Sequence, residues 1–234
     1  MSFKNSLKFV GLAVLVQWAT ACAQSGGVSE SAMDKYGRVP FKTYPLLWES
    51  TQPNGNRWSG YTLQVIHEEA ANDLLPGAED MDLFCPEYPS LATNERANFW
   101  ALLISAMTKF ESGQNPVSRM EEKTMGKDPV TGKAVFSEGL MQLSYQDIRH
   151  YSFCEFDWSR DRSLSPIDPD KSILDPYKNL RCGIKILASQ IRSRYRISVG
   201  SGAYWAVLKT NNHHHKIEQI AALTKKMPGC MKGP

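Results

Sequence analysis

Glu111 is the residue whose type and setting point most directly to acid–base chemistry. It lies near the end of an apolar stretch, TNERANFWALLISAMTKFESG, over residues 93–113. Phe99, Leu102, Leu103, Ala106, Met107 and Phe110 recur there at helical spacing, and Ile104 and Trp100 widen the stripe. Four residues after Met107, Glu111 shares the inward face of that helix in its last turn, where the negative end of the helix dipole disfavours an ionised carboxylate. Partial burial acts in the same direction, so the protonated form is favoured, and a general acid working near neutral pH needs that form. The competing reading is an exposed glutamate at a frayed helix end. Further carboxylates follow at Glu121, Glu122 and Glu138. A second carboxylate facing Glu111 would activate a water molecule; a solvated charge run over 121–123 would not. His213, His214 and His215 are adjacent in sequence, so on a helix their side chains diverge and do not readily share a metal ion. No metal is expected.

The elements that must position these groups are mostly helices. The helix over 93–113 has Thr93 as its expected N-cap, Glu95 in its first turn, Gly113 as a left-handed terminator and Pro116 to prevent a restart. A second begins with Asp175 at the N-cap and Pro176 at the first helical position, and carries Leu180, Ile184, Leu187 and Ile191 as far as Tyr195. Others are expected over 62–75, 203–209 and 212–227. Pro53-Asn54-Gly55-Asn56 reads as a turn between Trp48 and Trp58, and 127–133, KDPVTGK, as a turn or small hairpin. Residues 153–172, broken by Pro166 and Pro169, read as irregular. With no long alternating run, the expected fold is mainly α, a helical domain around one central buried helix with a small hairpin or irregular insertion.

A length of 234 residues suits one good-sized domain with an N-terminal extension. Residues 1–23 have the anatomy of an export signal: Lys4 and Lys8, an apolar run over 9–18, then Ala19, Thr20 and Ala21. Cleavage before Cys22 would make a lipoprotein with Cys22 lipidated; cleavage before Gln24 would release a soluble protein. The expected location is therefore the periplasm, the outer membrane through a lipid anchor, or the medium. Residues 24–32 form a Gly/Ser tether, 33–92 an extension packed on the domain, and 93–234 the principal domain. The formal net charge of +3 falls to +1 without Lys4 and Lys8, which gives no argument for nucleic acid. Setting Cys22 aside leaves Cys85, Cys154, Cys182 and Cys230, an even number with three possible pairings and no CxxC spacing. Trp48, Trp58 and Tyr61 suit either a sugar-stacking platform or, as preferred here, the pinning of the extension to the domain.

Four motifs in order carry a family resemblance: Glu111-Ser112-Gly113 with Asn115-Pro116 and Ser118; Gly139-Leu140-Met141-Gln142-Leu143; Asp175-Pro176 with Asn179 and Gly183; and Ala203-Tyr204-Trp205. Over residues 98–210 the chain resembles the lysozyme-like domain of lytic transglycosylases of the soluble type, related to goose-type lysozymes. The resemblance implies a lysozyme-like α+β fold with Glu111 as catalytic acid. It also implies a glycan cleft that includes Ser118, Ser137, Gly139, Met141, Gln142, Tyr145 and Tyr204. Gly139 would let backbone approach the sugar and Gln142 would offer an amide. Core packing is the preferred reading for the side chains of Met141 and Leu143, and Tyr204 either bonds substrate or fills space. By the same resemblance Cys154 pairs with Cys182, and Cys85 with Cys230.

The implied reaction is cleavage of peptidoglycan between N-acetylmuramic acid and N-acetylglucosamine by a monomer without cofactor. Glu111 would act first as acid and then as base, closing a 1,6-anhydro ring. The chain departs from the family in the long segment between Ser118 and Gly139, with Glu122 as candidate second catalytic carboxylate and Glu121 and Glu138 as lesser ones. That departure opens an alternative, hydrolysis of lysozyme type, including on deacetylated glycan, where an ammonium would replace the acetamide. A silent wall-binding module is a third reading, which an intact Glu111 beside Gln142 and Gly139 opposes.

Overall fold

A segment that is apolar on every side has no face to give to solvent and must become the centre of the molecule. The computed structural model describes residues 42–200 and 202–231; the expected export signal, Cys22 and the expected tether lie outside them. Its helices in chain order are α1 (Gly55–Val65), α2 (Ala71–Leu74), α3 (Met81–Phe84), α4 (Thr93–Glu111), α5 (Asp147–His150), α6 (Trp158–Asp161), α7 (Pro176–Arg194) and α8 (Ile217–Thr224). Every residue over 97–108 of α4 is buried. Phe99, Trp100, Leu102, Leu103, Ile104 and Met107 are wholly excluded from solvent, and each contributes roughly 1.5–3 kcal/mol by burial. Tertiary packing rather than helix propensity therefore fixes α4. It packs against α1, α8 and a 3-10 turn at Leu47–Ser50, while α7 lies on α1 and α2.

The polar residues buried in α4 fasten the preceding chain to it. Asn98 accepts the backbone N–H groups of Thr43 and Tyr44 at 2.7 and 2.9 Å, and the Leu47 N–H reaches the Ser105 hydroxyl at 3.3 Å. Trp48, Trp58 and Tyr61 lie within the same buried cluster as α4, and Trp48 donates to Ser59 at 2.9 Å. They form core, not an exposed sugar platform. Disulfides join Cys85 to Cys230 and Cys154 to Cys182.

The insertion between α4 and α5 is an antiparallel hairpin of β1 (Arg119–Glu121) and β2 (Phe136–Glu138), with Arg119 opposite Glu138, Met120 opposite Ser137 and Glu121 opposite Phe136. Asp128 shapes its tip. One carboxylate oxygen accepts the Val130 and Thr131 N–H groups at 2.7 and 3.1 Å; the other accepts the Gln146 N–H at 3.0 Å and ties the tip to the body.

Several local expectations need correction. The residue at the N-cap of α4 is Ala92, not Thr93, because the Glu95 carboxylate accepts the Ala92 N–H at 2.7 Å. The turn at Pro53-Asn54, closed by the Gly55 N–H on the Gln52 carbonyl at 3.0 Å, leads straight into a helix at Gly55, where the ideal Cβ position lies 2.4 Å from the Trp48 carbonyl oxygen, so glycine serves close approach. From there α1 runs through a π-helical turn at Ile66–Ala70 into α2, which makes this helical stretch longer than 62–75. Within 203–209 only Ala206–Leu208 coils, as a 3-10 turn. The last helix starts at Ile217, since Asn212 holds 212–215 in a turn by accepting the His214 and His215 N–H groups at 2.8 and 3.0 Å.

Candidate active site

Glu111 closes α4, and the residues that follow prevent that end from fraying. Gly113 and Gln114 both have left-handed backbones, at φ 60° and 61°, and the Ser112 and Gln114 N–H groups reach the Thr108 carbonyl at 3.1 Å each. Gln114 is buried; its amide donates to the Ser105 carbonyl at 3.2 Å and accepts the Thr51 hydroxyl at 2.7 Å. The carboxyl is thus presented from a fixed end. It receives the backbone N–H of Val207, whereas its Oε1 is buried with no hydrogen-bond partner. Burial pushes Glu111 up to about 7, against the lowering effect of the Val207 N–H, and the negative charge of Glu122 adds to the rise. Val207 is itself held in place: its carbonyl accepts the Lys216 N–H at 2.9 Å, and Val199 bridges to Leu208 and Thr210.

Glu122 comes from the hairpin. Alternation along the strands puts Met120, Glu122 and Ser137 on one face and Arg119, Glu121, Phe136 and Glu138 on the other. The Ser137 hydroxyl donates to Glu122 Oε1 at 2.5 Å, and the Glu122 N–H bonds the Val135 carbonyl at 2.9 Å. Of the other carboxylates considered as second acids, Glu121 is exposed. Glu138 is buried on the opposite face, bonded to Lys171 and 3.7 Å from Arg119; burial pushes its carboxyl up against the pull of Lys171.

The Gly139-to-Leu143 loop is built around Asn179 of α7. The Asn179 amide donates to the Glu138 and Ile173 carbonyls at 3.1 and 2.9 Å and accepts the Met141 N–H at 2.7 Å. Gly139 has φ +79°, and an added Cβ would lie 2.3 Å from Asn179 Nδ2. An amide inside the protein is thus by itself enough to require glycine here. Glu138 and Leu143 close the loop with paired backbone bonds of 2.7 and 2.9 Å. Met141 is wholly buried, and its carbonyl accepts the Trp205 indole N–H at 2.8 Å.

The remaining candidates divide. Gln142, with φ 50°, is buried and donates its amide to the Gly139 carbonyl at 2.8 Å, so its amide is engaged within the loop. Ser118 is half-buried, and its carbonyl accepts the Gly139 N–H at 2.9 Å. Tyr204 donates to Asp147 at 2.6 Å. Tyr145 is buried, donates to Asp161 at 2.9 Å and packs against Trp158, on the Glu138 side of the hairpin. Sequence reasoning missed the Val207 N–H, which leaves no mark in residue type. It also missed Asp147, a buried carboxylate pushed up by burial that accepts the Ser144 N–H at 2.7 Å. The spacing of Ser144 and Asp147, typical of a helix start, was the available sign. Among the described residues no three His, Cys, Asp or Glu side chains converge as a metal site.

The architecture is a lysozyme-like helical fold with one small hairpin, and known structures share it. The chain resembles DslA along most of its length. Wild-type DslA is 29% identical, with a TM-score of 0.65, over 80% of this chain and 97% of that one. Two DslA variants, each with a single Glu-to-Gln substitution, are 28% identical with TM-scores of 0.65 and 0.66, again over 80% of this chain. No protein-family model matches the chain, and neither does any curated protein.

Proposed function

We propose that this protein is a glycosidase that cleaves peptidoglycan glycan strands at the bond between N-acetylmuramic acid and N-acetylglucosamine. Glu111 protonates the leaving oxygen, and Glu122 serves as the second carboxylate that activates water. The observation that carries this reading is the unlike environment of the two acids. Glu111 is half-buried, with Oε1 shut off from solvent, and is raised to about 7, poised to give up a proton, whereas Glu122 accepts a hydroxyl hydrogen bond. Unlike environments assign unlike roles to paired carboxylates. The glutamates replaced in the two DslA variants stand eleven positions apart in that chain, as Glu111 and Glu122 do in this one.

A second reading keeps the cleft and removes the water. Glu111, near 7, is suited to act first as acid and then as base, closing an anhydro ring with no help from Glu122. Mass spectrometry of digested sacculi in 18O-labelled water separates the two. Labelled reducing ends that disappear in Glu122→Gln support hydrolysis; anhydro-muropeptides formed at full rate by Glu122→Gln overturn it. A Glu111→Gln protein that retains near-normal cleavage overturns both.

The paired acids also favour a partly deacetylated glycan, because a carboxylate stabilises the ammonium that replaces a neutral acetamide. Deacetylated sacculi should be digested faster than native ones, with the advantage lost in Glu122→Gln; equal rates on both substrates refute the preference. Export to the cell wall completes the proposal, supported by the two disulfides, which persist in oxidising compartments.

A further inference from the structure

The face of the hairpin turned away from Glu122 borders a recess that this reaction does not use. It lies between β2, the hairpin tip and the segment from α6 to Lys171, and is open to solvent. Phe136, Trp158 and Leu164 supply apolar wall.

Its charges are unevenly satisfied. Asp128 is occupied by backbone N–H groups, and Glu138 by Lys171 and Arg119. Asp161 is not fully occupied. It is 1% exposed; its Oδ2 accepts the Tyr145 hydroxyl at 2.9 Å and the Ser172 N–H at 2.7 Å, but its Oδ1 is buried with no hydrogen-bond partner. A buried carboxylate oxygen left without a donor costs roughly 1–3 kcal/mol, so a native fold that keeps one calls for a reason. At the exposed rim stand Lys133, with its ammonium 5.1 Å from the centre of the Trp158 ring, and Arg162. Among the described residues neither pairs with a carboxylate. The recess therefore sets two cations lacking an anion at its rim above a buried carboxylate whose donors are incomplete.

We propose that it binds the zwitterionic head of an amino acid, with the ligand's ammonium drawn to the Asp161 carboxylate beneath the recess and its own carboxylate held by Arg162 and Lys133. An ammonium answers a carboxylate whose donors are incomplete, and a guanidinium grips a carboxylate through two parallel bonds. A neutral sugar would leave both cations unpaired, and a simple anion would leave Asp161 unanswered. The peptide stems of the wall carry such heads, and this choice of source rests on the proposed function. The recess is then a second point of attachment, on the far side of the hairpin from the cleft, that selects strands still bearing peptide.

The probe is a sugar-free stem tripeptide, Ala–γ-Glu–diaminopimelate, titrated into the wild-type protein while the Trp158 indole N–H resonance is followed. The control is the same peptide acetylated on both of its amines and amidated on its carboxyl groups. The expected result is a saturable shift with the free peptide, none with the capped one, and at least tenfold weaker binding in Lys133→Gln/Arg162→Gln, whose substitutions are at exposed positions. No shift with the free peptide, which is what a recess holding only water gives, overturns the proposal. So does equal affinity for the capped peptide or in the double variant. Repeating the titration on Glu111→Gln separates this proposal from the glycosidase reading: peptide binding should be unchanged there, whatever happens to glycan cleavage.

Discussion

Replacing Glu111 by Gln keeps the size of the side chain and removes its titration, so its effect on stability should depend on pH in a way that can be worked out. The folded-state value is about 7 against an ordinary 4.5. Because the folded value is the higher one, the native state holds the proton more tightly than the unfolded chain between those two values, and wild-type stability falls as pH rises through that window. At roughly 1.4 kcal/mol per unit, the accumulated loss is about 3 kcal/mol by pH 8 and close to nothing at pH 4. Glu111→Gln escapes it. The variant should match the wild type at pH 4 and exceed it by about 3 kcal/mol at pH 8, which for a domain of this size is a rise of roughly 6–12 °C in Tm. Urea denaturation of both proteins at pH 4, 6 and 8, with disulfides intact, measures the difference directly. A stability difference that is flat across this range, or a variant that is weaker at pH 8, would falsify the assignment of burial as the cause. The same protein should lose activity on peptidoglycan by at least about 100-fold at every pH, the usual scale for a missing general acid.

Further outcomes follow from the same geometry. The kcat/KM profile of the wild type should fall above a pH of about 7, as Glu111 loses its proton; NMR titration of Glu111 in Glu122→Gln should find the midpoint lower, because the Glu122 charge contributes to the rise, and an unmoved midpoint would deny that the two acids face each other. Ser137→Ala should reduce kcat about tenfold with KM little changed, by freeing Glu122 from its 2.5 Å donor, while Ser137→Thr restores it; loss in both variants would point to packing instead of positioning. Gly139→Ala should destabilise the fold by more than about 2 kcal/mol, since it combines a left-handed backbone with a Cβ 2.3 Å from Asn179 Nδ2. Part of that cost should vanish in the background of Asn179→Ala, and strict additivity in the double-mutant cycle would reject the clash.

The centre of the fold was legible because its signals are local and agree with one another. The stripe in α4, the Asp175-Pro176 start of α7, whose Asp175 side chain accepts the Lys178 N–H at 2.9 Å, and the Gly113 terminator each state their conformation in a few adjacent residues. The stretch 203–209 shows where such reading fails. Its residues suit a helix, yet the Trp205 indole is committed to the Met141 carbonyl, and the Val207 N–H points at Glu111. A helix there would spend the Val207 N–H on its own backbone and leave the acid without that donor. Tertiary demand thus overrides propensity where the candidate site needs a free backbone group.

Which carboxylate faces Glu111 is a question of strand register, and composition is silent on it. Residues 121–122 and 137–138 offer acids on both faces of the hairpin, and a slip of one residue would exchange them. The native register is held by partners far from it in sequence. Arg119 lies opposite Glu138, and Lys171, brought in by the segment before α7, bonds the Glu138 carboxylate. Slipped by one, the hairpin would strand Lys171 without its acid and turn Glu138 toward Glu111. The ion pair behind the hairpin therefore keeps Glu122, and not Glu138, as the acid whose charge acts on Glu111. Lys171→Met should release that choice: with a good apolar match the fold persists, but Glu138 loses its partner, and the Ser137–Glu122 contact should exchange between registers in relaxation-dispersion NMR. A hairpin that stays in a single register in Lys171→Met would show that the turn around Asp128 suffices to hold it.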